Sequence, residues 1–181
     1  MRQKTRAFLK ENDPDWPFRL LSPKETLSLM RKLTSDQGCK PTLEELRTAL
    51  IGSWSKETAH RNGQAKWRPN NPALGQCAVT ALVVQDYFRG DLVYCMHKSH
   101  YWNRLPNRIE VDLTRGQFAE GTWFCCDGTD ERGYLLEGEM PQYVGTPIGY
   151  LHLKKKVEEF LEKPRKFQQN LVIGPLPTRV C

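Results

Sequence analysis

Several absences narrow this chain before any motif is read. No apolar run approaches the length of a membrane-crossing helix. No secretory apolar core follows the basic start Met1-Arg2-Gln3-Lys4. The expectation is therefore a cytoplasmic protein without a membrane partner. There is no internal repeat and no low-complexity segment. The six cysteines, at positions 39, 77, 95, 125, 126 and 181, are irregularly spaced and two of them are adjacent. In a chain of 181 residues that is not a disulfide framework, so reduced thiols are expected. A familiar zinc signature is also missing. Cys95 and His97 stand two apart and Cys125-Cys126 could join them, but adjacent cysteines rarely share one tetrahedral ion. No metal and no cofactor are expected, and a metal site remains a minor alternative. The net charge of +6 lacks the clustering a nucleic-acid footprint requires. Its densest run, Lys154-Lys155-Lys156, is followed by Glu158 and Glu159 and reads as a solvated helix face, so no nucleic-acid partner is expected.

What is present suits a folded domain: 39% of the residues are apolar and 10% are aromatic, in a length that can bury a real core. Residues 1–52 read as an arm and helical segment of the same domain, and 53–181 as its core. Ser22-Pro23-Lys24-Glu25 is a helix start, with a cap, a proline at the first helical position and a capping-box glutamate. Thr42-Leu43-Glu44-Glu45 is a second, with Leu43, Leu46 and Leu50 on one face and an end near Gly52. Residues 53–74 form a polar loop carrying Trp54 and Trp67, long enough to suggest a functional role.

Cys77 to Phe88 is apolar nearly all round, which fits a buried central helix stopped at Gly90-Asp91. Strands are expected at 92–96, 100–105 and 108–113, the last two joined by a tight turn at Pro106-Asn107. A fourth strand is expected at 121–126, unless that stretch only approaches a loop at 127–130. Asp127 and Asp130 read as turn formers. A C-terminal helix is expected over 150–163, before Pro164.

Cys77 then occupies the first helical turn, where unpaired backbone N–H groups and the positive end of the dipole favour a thiolate. His100 and Asp112 lie about equally far from the Pro106-Asn107 turn, so they are expected to be nearly paired across the hairpin. A carboxylate there would hold one ring nitrogen while the other faces the thiol. That is a nucleophile, its base and the group that orients the base. The Cys77 N–H is a natural oxyanion donor. Gln76, Asn71 and Gln64 are candidates for the second, and Trp102 is a candidate substrate contact. His97 should point to the other side of its strand, and His60 and His152 read as surface residues.

Gly75-Gln76-Cys77 opening an apolar helix, His100-Tyr101-Trp102, and Val111-Asp112-Leu113-Thr114 resemble the transglutaminase-like branch of the papain-like cysteine-peptidase folds. That resemblance implies an α+β architecture with a Cys-bearing central helix packed on a small antiparallel sheet. It also implies acyl-transfer chemistry on a peptide or protein amide. At closer range, Trp54-Ser55-Lys56-Glu57-Thr58, the run from Asn71 to Asp86 and Ser99-His100-Tyr101-Trp102-Asn103-Arg104 resemble the YunG-like family of uncharacterised bacterial proteins. Two functions follow as alternatives. One is an enzyme forming a thioester at Cys77. The other is a non-catalytic binding module on the same fold, with the tryptophan-bearing loop as its partner surface.

Overall fold

The computed structural model describes residues 41–137 and 143–162; the helix expected from Ser22 lies outside the described residues. Helix α1 spans Leu43–Ser53 and opens on the expected capping box. Thr42 Oγ1 accepts from the Glu45 N–H at 3.0 Å, and Glu45 Oε2 accepts from the Thr42 N–H at 2.8 Å. Two of the orphan donors at the helix start are thereby satisfied. Leu43, Leu46 and Leu50 are buried together, as their 3–4 spacing requires.

The long loop is not wholly irregular. It contains a single helical turn, α2 (Arg61–Gln64), capped by the His60 ring, whose Nδ1 accepts from the Asn62 N–H. Trp54 is buried and its indole donates to Thr80 Oγ1 at 3.0 Å, while the Trp67 indole donates to the Pro72 carbonyl at 3.0 Å. Both indole N–H groups are therefore committed within the fold rather than offered to a partner.

Helix α3 runs from Cys77 to Phe88, as its apolar pattern predicts, and every residue from Val79 to Val84 is buried. It ends where Arg89 and then Gly90 turn to positive φ. A side chain at Gly90 would collide with the Arg104 carbonyl oxygen, so glycine is required there by close backbone approach as well as by conformation.

Four strands follow: β1 (Asp91–Cys95), β2 (His100–Arg104), β3 (Glu110–Val111) and β4 (Gly128–Asp130). They form one antiparallel sheet in the order β3-β2-β1-β4. The third strand is shorter than expected. Arg108 takes a left-handed φ of 67°, and Leu105 N–H to Ile109 O at 2.8 Å closes the turn around it. Beyond Val111, Asp112 caps the Thr114 N–H with its own side chain, which ends the ladder. The fourth strand lies at 128–130 and not at 121–126. Leu92–Tyr94 of β1 offers an open edge, and Gly128–Asp130 is the segment that reaches it.

Two helices complete the described fold, α4 (Arg132–Glu137) and α5 (Thr146–Glu162). The last begins one turn before the expected start, with Pro147 in its first turn, where a missing N–H costs nothing. The main core lies between α1, α3, α5 and one face of the sheet. Asn103 on β2 ties the sheet to the central helix by donating to the Ala81 carbonyl at 2.9 Å. Among the described residues, no helix is long and apolar enough to cross a membrane.

Candidate active site

The opposite face of β2 carries His100, Trp102 and Arg104, since alternate residues share a side. Each is matched with a carboxylate on β3 or just beyond it. Arg104 forms a two-pronged pair with Glu110 at 2.7 and 3.1 Å, and the Trp102 indole donates to the same Glu110 at 2.7 Å. His100 Nε2 meets Asp112 Oδ2 at 2.7 Å, with both side chains nearly sealed from solvent. The contact is diagonal and not directly paired. Arg104 opposes Glu110 and Asn103 opposes Val111, so one further step would set Asp112 across from Trp102. The hairpin turn is centred on Asn107 itself and not between Pro106 and Asn107.

Asp112 is itself held. Its second oxygen, Oδ1, accepts from both the backbone N–H and the hydroxyl of Thr114, each at 3.0 Å. The imidazole is boxed by aromatic rings: Phe118 edge-on at 4.9 Å, Phe124 at 5.1 Å and Trp102 roughly stacked at 5.8 Å between centroids. Such burial alone disfavours a charged ring. The Asp112 carboxylate, with a further contribution from the neighbouring Cys77 thiol, outweighs it and raises the His100 pKa to about 10. Nε2 is committed to Asp112, and among the described residues Nδ1 has no hydrogen-bond partner of normal geometry, with the Cys77 thiol as its neighbour.

Cys77 reaches this ring from the start of α3. Gly75, with φ of 72°, turns the chain, and Gln76 caps the helix without a side-chain bond to its backbone. The sulfur is half-exposed and lies 3.9 Å from the Ser99 carbonyl, in the left-handed turn just before His100. Cys77, His100 and Asp112 are thus brought together.

The flanking candidates fare differently. Gln76 is fully buried, and both ends of its amide are engaged: Oε1 accepts from the Thr58 hydroxyl at 2.9 Å and Nε2 donates to the Ser55 carbonyl at 2.8 Å. Its side chain secures the turn and is not presented beside the sulfur. Gln64 Nε2 donates to the Ala59 carbonyl. Asn71 sits half-buried in the turn before Ala73, its N–H donating to the Arg68 carbonyl. Trp102 is buried and forms a wall of the histidine box. His97 is exposed on the turn after β1, and His152 is exposed on α5.

Asp127 and Asp130 do more than form turns. Asp127 accepts from the Met96 N–H at 2.8 Å, and Asp130 accepts the Tyr101 hydroxyl at 2.5 Å within a cluster that includes Tyr143. A groove of about 700 Å³ beside that cluster is lined by Asp91, Asp130 and Arg132 among others, and by none of Cys77, His100 and Asp112.

Phe118 and Phe124 are the neighbours that sequence reasoning missed, and Ser99 is read there only as part of a motif. The two phenylalanines lie in irregular backbone, where no periodicity marks an inward face. Thr114 stands in a recognised motif, but its two hydrogen bonds to Asp112 Oδ1 are visible only in the folded structure.

The family model for YunG protein matches residues 42–162, a span that includes Cys77, His100 and Asp112. The chain belongs to the YunG family. A relative within it, "Uncharacterized protein YunG" of Bacillus subtilis (strain 168), is 36% identical over 78 residues. That match covers 42% of this chain and 63% of the relative, less than two thirds of the relative's length. No solved structure matches.

Proposed function

We propose that this YunG-family protein is an acyl-transfer enzyme that forms a thioester at Cys77, with a peptide or protein amide as substrate, in a transglutaminase-like arrangement. The supporting observation is a buried His100–Asp112 pair of 2.7 Å whose second ring nitrogen, among the described residues, has no well-formed hydrogen bond and has the Cys77 thiol as its neighbour at a helix start. In a purely structural histidine, a buried nitrogen without a partner is a cost. Beside a nucleophile it is where a proton is exchanged.

The steps follow from the charges. Cys77 sulfur attacks the substrate carbonyl carbon, and a C–S bond forms as the carbonyl oxygen takes up the electron pair. The Cys77 backbone N–H, at the positive end of α3, faces that oxygen. When the tetrahedral species collapses, the C–N bond breaks and the imidazolium gives its proton to the departing nitrogen. Acylation removes the sulfur's charge, which is one of the influences that hold the His100 proton. The neutral ring then takes a proton from water or an amine as that group attacks the thioester, and free Cys77 is restored. Asp112 keeps the ring oriented throughout.

The test uses the full chain with iodoacetamide near pH 6, reading each thiol by peptide mass. Cys77 should be alkylated well ahead of the other five, and His100→Ala should remove that preference. A chromogenic acetyl ester should leave an acetyl group on Cys77. Equal alkylation of all six thiols, together with no acetyl adduct, would overturn the reading.

A further inference from the structure

A second cluster of chemically capable side chains lies at the far end of β1. Cys95 is fully buried at the last position of that strand. Its sulfur lies 3.5 Å from that of Cys125, and Cys125 Sγ lies 3.3 Å from Asp127 Oδ2. All three ligand atoms lie within 4.8 Å of one another. The adjacent cysteines are divided by backbone alternation: Cys126 turns away, its sulfur near the Arg104 guanidinium and the Gly128 carbonyl. His97 is exposed on the intervening turn.

We propose that Cys95, Cys125 and Asp127 form a binding site for a thiophilic divalent cation of the zinc class. The dimensions support it. With Zn–S of about 2.3 Å and Zn–O of about 2.0 Å, the edges of a tetrahedron are about 3.8 Å between sulfurs and about 3.5 Å from sulfur to oxygen. The distances of 3.5 and 3.3 Å are slightly shorter, and a small outward movement opens them to accept the ion. A disulfide would instead draw the sulfurs to about 2.0 Å and would not involve the carboxylate beside Cys125.

The carboxylate is also oriented from behind. Asp127 Oδ2 accepts from the Met96 N–H at 2.8 Å, and the Asp127 N–H donates to the Tyr94 carbonyl at 2.8 Å. That is the kind of outer support metal ligands need. Three protein ligands leave a fourth position for water or an added ligand.

Binding balances as one M²⁺ entering and two thiol protons leaving, so that two thiolates and one carboxylate surround the ion with a net charge of one negative. The ion would join the end of β1 to the segment that carries Phe124, the ring that covers His100. This proposal does not rest on acyl transfer and stands or falls separately from it.

The experiment uses reduced, untagged full-length protein freed of metal and titrated with Co²⁺, then Zn²⁺. One equivalent of Co²⁺ should produce thiolate-to-cobalt charge-transfer absorption, and Zn²⁺ should displace it. Cys125→Ser should abolish the band, Cys126→Ser should retain it, and Asp127→Asn should raise the Zn²⁺ dissociation constant more than about tenfold. Should Cys125→Ser fail to fold, the Asp127→Asn titration decides. No charge-transfer band at one equivalent, an unchanged band in Cys125→Ser, or unchanged affinity in Asp127→Asn would each overturn the proposal. So would recovery of Cys95 and Cys125 as a disulfide from freshly isolated protein.

Discussion

The two faces of strand β2 handle polar groups in contrasting ways. On the helix-facing side, Tyr101 and Asn103 sit within the main core and each secures the fold. Asn103 bonds the backbone of α3, and Tyr101 joins Asp130 and Tyr143. On the other side, His100, Trp102 and Arg104 face carboxylates from the neighbouring hairpin arm. Among the described residues, this second face alone leaves a buried ring nitrogen without a well-formed hydrogen bond. The first face satisfies its groups within the fold; under the acyl-transfer proposal the second is where a proton would be exchanged.

The contrast should be broken most sharply by Asp112→Asn. Removing one partner of a buried pair costs about 3–5 kcal/mol. His100 is held charged by a pKa raised from 6.5 to about 10. The stabilisation is therefore complete below about pH 6.5 and is lost as pH rises through about 10. The gap in unfolding free energy between wild type and variant should be widest near pH 6 and close toward pH 10, as read by urea unfolding across that range. A gap that is constant with pH would mean the ring is not charged in the folded protein.

On the helix side the largest effect should come from Leu82→Ala, which empties a fully buried position in α3. It should cost about 2–5 kcal/mol, with no trend over the same pH range and with Cys77 still the fastest thiol to alkylate. Tyr143→Phe removes a hydroxyl bonded to Tyr101 and should cost about 1 kcal/mol. Thr42→Ala deletes the α1 cap, far from either face of β2, and should likewise cost about 1 kcal/mol or slightly less in the same assay.

Local signals explain which parts were readable beforehand. The capping box at Thr42 and Glu45 and the apolar run from Cys77 to Phe88 are written in adjacent residues, and both elements stand where those residues place them. The hairpin was legible through Pro106-Asn107, although the left-handed Arg108 shifted its centre and made the His100–Asp112 contact diagonal. Gly128–Asp130 gave no strand signal because its pairing depends on a distant open edge at Leu92–Tyr94. The aromatic box was hidden for the same reason. Phe118 and Phe124 acquire their inward direction from long-range packing around the imidazole, and not from any period in their own segment.

Gln76 gives the long loop a second meaning. Because its amide grips both Ser55 and Thr58, the backbone around residues 55–58 is a mooring for the turn that presents the sulfur. Lengthening, shortening or displacing that stretch would therefore swing the cysteine relative to the imidazole without altering either side chain.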